Sequence, residues 1–233
     1  MLKPMSIAKN IDTIEERIQA ACIRSGRNRE DITLMGVTKL QPLEAIEAAW
    51  NAGIRCFGES RVQEAAVKYA GFKDRHAGME LHMVGSLQRN KAKSAVTLFD
   101  CVQSLDREAL IDELAKYAVH RDQPLSVLLE FRTGEDSKSG FNDADGLFRA
   151  AELVLGTDSL SLRGLMTIAP NTREEGPVRA AFRQLTKVGQ ELEKRFPGYW
   201  HCFSMGMTED FEIAIEEGST LLRIGSAIFG ERC

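Results

Sequence analysis

The sequence predicts an α/β fold, a (β/α)8 TIM barrel with an additional N-terminal helix. Three observations predict it. Eight short apolar or β-branched runs occur at 32–37, 55–57, 81–84, 101–103, 126–131, 162–168, 202–204 and 221–224, and continuous apolar character marks strands buried on both faces. Segments of helical periodicity fill the intervals, and strict strand–helix alternation implies a parallel sheet. The 233 residues give about 29 per unit, enough for a strand, a helix and short loops. An open doubly wound sheet is the architecture that the same alternation also allows.

The first element is helical: Ile7, Ile11, Ile14, Ile18 and Cys22 make one apolar stripe that ends near Ser25 and Gly26. After the first strand, Leu43, Ile46, Ala49 and Trp50 share a helix face closed by Gly53. Leu110, Leu114 and Tyr117 do the same over 107–120. Phe148, Ala151 and Leu155 belong to a further helix, and Phe182, Leu185, Val188, Leu192 and Phe196 line a long one over about 178–196. Ile213 and Ile215 sit in a short helix closed by Gly218. No linker or low-complexity tract divides the chain, so 1–233 reads as a single domain.

Composition narrows the function. With 30 basic and 34 acidic residues the net charge is −4, which argues against a nucleic-acid binder. No apolar stretch approaches the ~20 residues that span a bilayer, and the N-terminus lacks an apolar signal core before Lys9. A cytoplasmic location is therefore expected. Cysteines at 22, 56, 101, 202 and 233 have long gaps and no C-x-x-C, which fits a reduced compartment rather than a disulfide framework or a zinc site. Histidines 76, 82, 120 and 201 lack metal-ligand spacing.

In a barrel the chemistry lies at the C-terminal ends of the strands, and the loops after strands seven and eight commonly hold phosphate. Lys39 ends the first run. Partial desolvation at a barrel mouth would make its amine available as a nucleophile; the plainer reading is a loop lysine in water. Ser60 and Arg61 follow the second strand, and the third leads into Gly85-Ser86, a capped helix start. His82, inside the third strand, reads as a hydrogen-bonded barrel residue more than as a base. The polar loop 133–140 carries Lys138, which could reach an anion, although a solvated loop is the plainer reading. Ser204, Gly206 and Met207 follow strand seven, and Gly225 and Ser226 follow strand eight; both turns can aim amides and hydroxyls at one anion. Arg223 should point inward with a charge that needs an acceptor, whether a ligand or a carboxylate such as Glu130 or Glu59. An aldehyde for Lys39, a phosphate for the two turns and a ring nitrogen for Arg223 combine in one molecule, pyridoxal 5′-phosphate (PLP).

The motifs Val37-Thr38-Lys39, Phe57-Gly58-Glu59, Val62-Gln63-Glu64, His82 to Lys91, Ser137 to Gly140, Arg163 to Met166, Ser204 to Met207 and Arg223 to Gly230 occur in this order. The chain thereby resembles the pyridoxal phosphate homeostasis proteins, single-domain relatives of the alanine racemase barrel. The resemblance implies that Lys39 carries PLP as an internal aldimine. It implies that Ser204, Gly206, Met207, Gly225 and Ser226 surround the phosphate and that Arg223 faces the pyridine nitrogen. Ser60-Arg61 stands where the family often has Asn-Tyr, and the shorter Ser60 could reach the cofactor through water. Ser226 replaces a common Thr and Thr38 a common Ser, each keeping the hydroxyl.

A guanidinium holds its own proton, so the ring nitrogen beside it stays unprotonated and the ring is a weaker electron sink. Racemases of this arrangement use a second base, by resemblance a tyrosine from another domain. Tyr69, Tyr117 and Tyr199 are placed on helices or their ends, away from the mouth. The expected function is a non-catalytic PLP holder that takes part in PLP homeostasis and supplies apo-enzymes, without nucleic-acid or membrane partners, and a monomer. A weak amino-acid racemase using Lys39 with water or His82 is the enzymatic alternative. A barrel for another phosphorylated metabolite is the third class.

Overall fold

The computed structural model describes residues 6–134, 139–199 and 201–230. Helix α1 (Ile7–Ser25) opens the chain. Ser6 caps it by accepting from the Lys9 amide, and Gly26 ends it at φ 67°. Its buried residues are Ile11, Ile14, Ile18, Ala21 and Cys22, the stripe read from the sequence.

Eight parallel strands then form a closed barrel in chain order. They are β1 (Thr33–Val37), β2 (Cys56–Glu59), β3 (Glu80–Met83), β4 (Cys101–Leu105), β5 (Leu125–Glu130), β6 (Leu160–Met166), β7 (Cys202–Ser204) and β8 (Leu221–Ile224). Between them run α2 (Leu43–Asn51), α3 (Val62–Lys68), α4 (Phe72–Arg75), α5 (Ala92–Leu98), α6 (Glu108–Ala118), α7 (Ala144–Leu155), α8 (Glu175–Arg195) and α9 (Phe211–Glu216), and α10 (Ser226–Phe229) follows β8. Among the described residues no helix is long and apolar enough to cross a membrane.

The barrel is the fold the alternation predicts; the open sheet is not formed. Two boundaries differ instructively. The second strand runs on through Gly58 and Glu59, because Glu59 finds buried partners there. The sixth begins at Leu160 and ends at Met166, the last residue paired with both β5 and β7. Helices α3, α4 and α5 went unread because each is short: Val62 and Ala65 are the buried residues of α3, and Phe72 is that of α4.

Alternation sorts the strand residues into two layers. Phe57, Leu81, Val102, Val127, Leu165 and Leu222 face the helices and belong to the large core. Met35, Cys56 and Leu221 pack inside the barrel, as do Cys101, Leu128 and Met166. Gly58 is small for Met35, whose Sδ would lie 2.7 Å from an added Cβ. Gly164 has φ 151°, and a Cβ there would come within 1.9 Å of the Cys202 carbonyl oxygen. Only glycine lets β6 approach β7 this closely. Helix α1 covers the outside near α9 and α10: Arg17 pairs with Glu212 at 3.3 Å, Arg24 with Glu216 at 3.1 Å, and Asn10 donates to the Ile228 carbonyl at 2.8 Å.

Candidate functional site at the barrel mouth

Lys39 follows β1 by two residues and is half-buried. Both of its neighbours are fixed. Thr38 is fully buried; its hydroxyl donates to Glu59 Oε1 at 2.7 Å and lies 2.7 Å from the Tyr69 hydroxyl. Its carbonyl accepts from Lys68 Nζ at 2.7 Å. Leu40 holds a left-handed φ of 62°, and its amide donates to Glu64 Oε1 at 2.5 Å. A non-glycine residue in that region costs about 1–2 kcal/mol, and the charge-assisted bond to Glu64 offsets it. Lys68 also binds Glu59 at 2.7 Å and Glu64 at 2.8 Å. One ammonium thus ties the β1 turn to the end of β2.

Burial sets the ionisation here. It pushes the Glu59 carboxyl up, against the hydrogen bonds from Lys68 and Thr38 that pull it down. Among the described residues its second oxygen, Oε2, has no hydrogen-bond partner. Burial acts on Glu64 too, but Lys68 and the Leu40 amide outweigh it and hold that carboxyl below the usual range. Burial pushes the Tyr69 hydroxyl far up, so it keeps its proton. Sequence reading placed Tyr69 away from the mouth. The structure corrects this: it caps α3 with its hydroxyl one residue from Lys39.

Strand register brings the other ends together. Val37 lies beside Gly58, which brings Ser60 to the level of Lys39. Gly36 pairs with Ile224, so Gly225 follows beside Val37, whose carbonyl would be 3.5 Å from a Gly225 Cβ. Lys39, Ser60 and Ser226 therefore rise from three adjacent strands. Ser226 opens the helical turn α10, and its hydroxyl lies 3.1 Å from Thr208 Oγ1. The Ala227 amide points to the same Thr208 at 3.4 Å. Thr208 joins the two small-residue turns, a role that sequence reading missed although the residue lies in the expected loop. Gly206 is left-handed at φ 95°, and a Cβ would stand 2.6 Å from that of Ala214. The Met207 amide is engaged by Asp210 Oδ1 at 2.6 Å, and the Met207 side chain is exposed.

Arg223 lies inside the barrel under this rim, buried. Nη1 donates to the Ser204 carbonyl and hydroxyl, both at 2.7 Å, and Nη2 to the Thr167 carbonyl at 2.7 Å. Among the described residues these contacts use three of its five N–H bonds. Burial lowers its pKa to about 10, with Asp210 and Glu130 acting in the opposite sense, so the guanidinium is charged at neutral pH. Neither Glu130 nor Glu59 is its hydrogen-bond acceptor; Glu130 takes the Ser139 hydroxyl at 2.7 Å and Glu59 takes Lys68.

Ser204 departs from its expected place. Its hydroxyl turns into the barrel and donates to Gln103 Oε1 at 2.6 Å. Gln103 in turn contacts His82 Nδ1 at 2.8 Å, and His82 Nε2 meets Glu80 Oε2 at 3.2 Å. His82 is thus a hydrogen-bonded interior residue, with Nε2 directed to the first residue of β3 and away from the mouth. Lys138 lies outside the described residues.

The donor set at the mouth combines an amine, a charged fork beneath it, and two turns rich in hydroxyls and amides. Such a set fits a ligand with a carbonyl group, a ring acceptor and an anionic tail. Residues 7–233 match the family model of the alanine racemase N-terminal domain. The chain is 42% identical over 230 residues to the pyridoxal phosphate homeostasis protein of Vibrio cholerae, covering 97% of each. A crystal structure of an unknown protein from Bifidobacterium adolescentis superposes with TM-score 0.90 at 34% identity, over 96% of this chain and 94% of that one. PipY of Synechococcus elongatus with PLP bound superposes with TM-score 0.80 at 33% identity, over 93% of this chain and 100% of that one.

Proposed function

The chain belongs to the alanine racemase N-terminal domain family and, within it, to the pyridoxal phosphate homeostasis proteins; from this premise we propose that it holds PLP reversibly at the barrel mouth, without catalytic turnover. The observation that carries this reading is the register of β8, β1 and β2, which sets Lys39, Ser60 and Ser226 over the buried Arg223.

Lys39 would hold the cofactor by its amine. Arg223 would face the ring nitrogen, with Ser204 fixing the guanidinium from below. Gly206, Met207, Gly225 and Ser226, joined by Thr208, would receive the phosphate, and Ser60 would line the opposite rim. Bound there, PLP supplies an aldehyde and an electron-withdrawing ring. The residues of this chain position and shield it. Thr38 and Leu40 fix the backbone on both sides of Lys39. Arg223 keeps its own proton and so leaves the ring nitrogen unprotonated, which disfavours carbanion chemistry.

Two further placements support a holder over a racemase. The Tyr69 hydroxyl is tied to Thr38 and held protonated, and His82 Nε2 faces the opposite end of the barrel. Neither is poised as a second base. We take 1–233 as one cofactor-binding domain, a cytoplasmic monomer that passes PLP to apo-enzymes.

The test is the visible absorbance of the purified chain with PLP, followed by borohydride reduction and peptide mapping. Reduction should fix the cofactor to the peptide bearing Lys39, and Lys39→Ala should abolish the visible band. A label on another lysine, Lys138 included, overturns the assignment. Rapid uptake of deuterium at the α-carbon of alanine in D2O overturns the absence of turnover.

A further inference from the structure

At the end of the barrel opposite the mouth, a second group of side chains converges. Among the described residues, Cys56, Glu80 and His82 place one ligand atom each within 4.8 Å of one another. The sheet brings this about. Cys56 and Glu80 are the first residues of β2 and β3 and are register partners, and His82 points the same way as Glu80 two residues on. We propose that Cys56, Glu80 and His82 form a zinc-type divalent metal site at the floor of the barrel, with a fourth position open to water.

The spacing fits. Bond lengths of about 2.3 Å to sulfur and 2.0–2.2 Å to nitrogen and oxygen, at tetrahedral angles, require about 3.6 Å between sulfur and nitrogen and about 3.3 Å between nitrogen and oxygen. Cys56 Sγ lies 3.7 Å from His82 Nε2, and Glu80 Oε2 lies 3.2 Å from the same nitrogen. Thiolate, imidazole and carboxylate together suit zinc rather than magnesium or calcium, which take oxygen.

Burial and access also fit. Cys56 and His82 are 4% and 7% exposed, while the Glu80 side chain is 64% exposed. Two ligands are held inside the barrel and the third lies exposed at the opening. A cleft of about 550 Å3, bordered by Thr33, Gly78, Cys56 and Glu80, leads to it from solvent. The two arginines of that cleft already have partners: Arg29 holds Glu15, which lines the same cleft, at 2.7 Å, and Arg55 donates to the Trp50 carbonyl at 2.8 Å.

The histidine has an outer partner of the kind that metal-bound histidines use, since Gln103 sits 2.8 Å from Nδ1. Metal on Nε2 leaves the proton on Nδ1, so Gln103 must present its oxygen there. Rotation of the side-chain amide by half a turn achieves this and lets its nitrogen donate to Ser204 Oγ. The Cys56 proton leaves to solvent as the sulfur–metal bond forms.

The experiment is cobalt titration of the full chain after chelator treatment, read as a difference spectrum against the same sample without cobalt, so that cofactor absorbance cancels. One equivalent should bind with a thiolate-to-cobalt charge-transfer band, and zinc should displace it and bleach the band. Cys56→Ser should lose the band. Glu80→Gln, exposed and therefore safe for folding, should weaken binding about tenfold or more with an unchanged circular dichroism spectrum. Absence of saturable binding overturns the site, as does an affinity that survives intact in Glu80→Gln. PLP binding at the mouth is read separately from the Lys39 band, so failure of one reading leaves the other distinguishable.

Discussion

Lys68 donates to the main-chain oxygen of Thr38 at 2.7 Å, so a helix side chain fixes the residue immediately before Lys39. The same ammonium neutralises the buried Glu59 and the half-buried Glu64. The Lys39 turn is therefore braced by a second, structural lysine.

Replacing that brace should be costly. Lys68→Met leaves Glu59 buried with its charge unpaired, and loss of one partner of a buried pair costs about 3–5 kcal/mol. Urea denaturation should show a lower midpoint at unchanged slope. PLP affinity should fall as well, because the Lys39 turn loses its anchor. The double variant Lys68→Met/Glu59→Gln should recover part of the stability, and full additivity of the two substitutions would refute the coupling.

The pH dependence has a defined sign. Burial raises the folded-state carboxyl of Glu59 above its unfolded value. Between the two values the folded chain binds more protons, so stability falls as pH rises through that window. The contribution is fully present below the ordinary carboxylate range and is lost as pH climbs through the raised value. Lys68→Met removes a group that pulls the carboxyl down, so its window should extend upward. Its stability deficit relative to wild type should shrink as the buffer is acidified toward pH ~4; a deficit independent of pH contradicts this.

Arg223 bridges β8 to β7 and to Thr167 through three hydrogen bonds. Arg223→Leu should strip two carbonyls and the Ser204 hydroxyl of a donor and cost about 3 kcal/mol, since each buried group left unpaired costs ~1–3 kcal/mol. Arg223→Lys keeps the charge but lacks the planar fork, so its denaturation midpoint should fall between those of wild type and the leucine variant.

Gly164→Ala should be among the most damaging small substitutions. The added methyl would meet the Cys202 carbonyl oxygen at 1.9 Å, where relief requires backbone movement. A loss of about 3 kcal/mol is expected, visible as a lowered thermal midpoint. Gly26→Ala, where φ is also positive but nothing lies within 4 Å of the new Cβ, gives the comparison: strain without collision, and a smaller loss.

The barrel was legible because its strands are covered on both sides, and residues such as Leu128, Leu129 and Leu222 leave continuous apolar runs. The mouth was legible for a different reason: Lys39 and Arg223 are polar residues adjoining or within such runs. What stayed hidden depends on register or on short helices. Lys68 and Tyr69 end a helix that buries only Val62 and Ala65, too few to show a period. Cys56 and His82 are 26 residues apart and become neighbours only when β2 pairs with β3. Ser204 was read correctly as a strand-end residue, but which way a hydroxyl turns at the edge of a barrel is decided by Gln103, 101 positions away in sequence.

The interior file of polar side chains has a polarity. Arg223 gives to Ser204, Ser204 to Gln103, and, with the amide nitrogen facing Nδ1, Gln103 gives to His82 and His82 to Glu80. Each arrow runs from rim to base, and each middle member can give in one direction only while it receives from the other. Turning over the arrow at His82 obliges Gln103 to turn, and Ser204 then receives where it used to give. The two ends of this cylinder consequently share one grammar of protons, in which a sentence reversed at the base is read backwards at the rim.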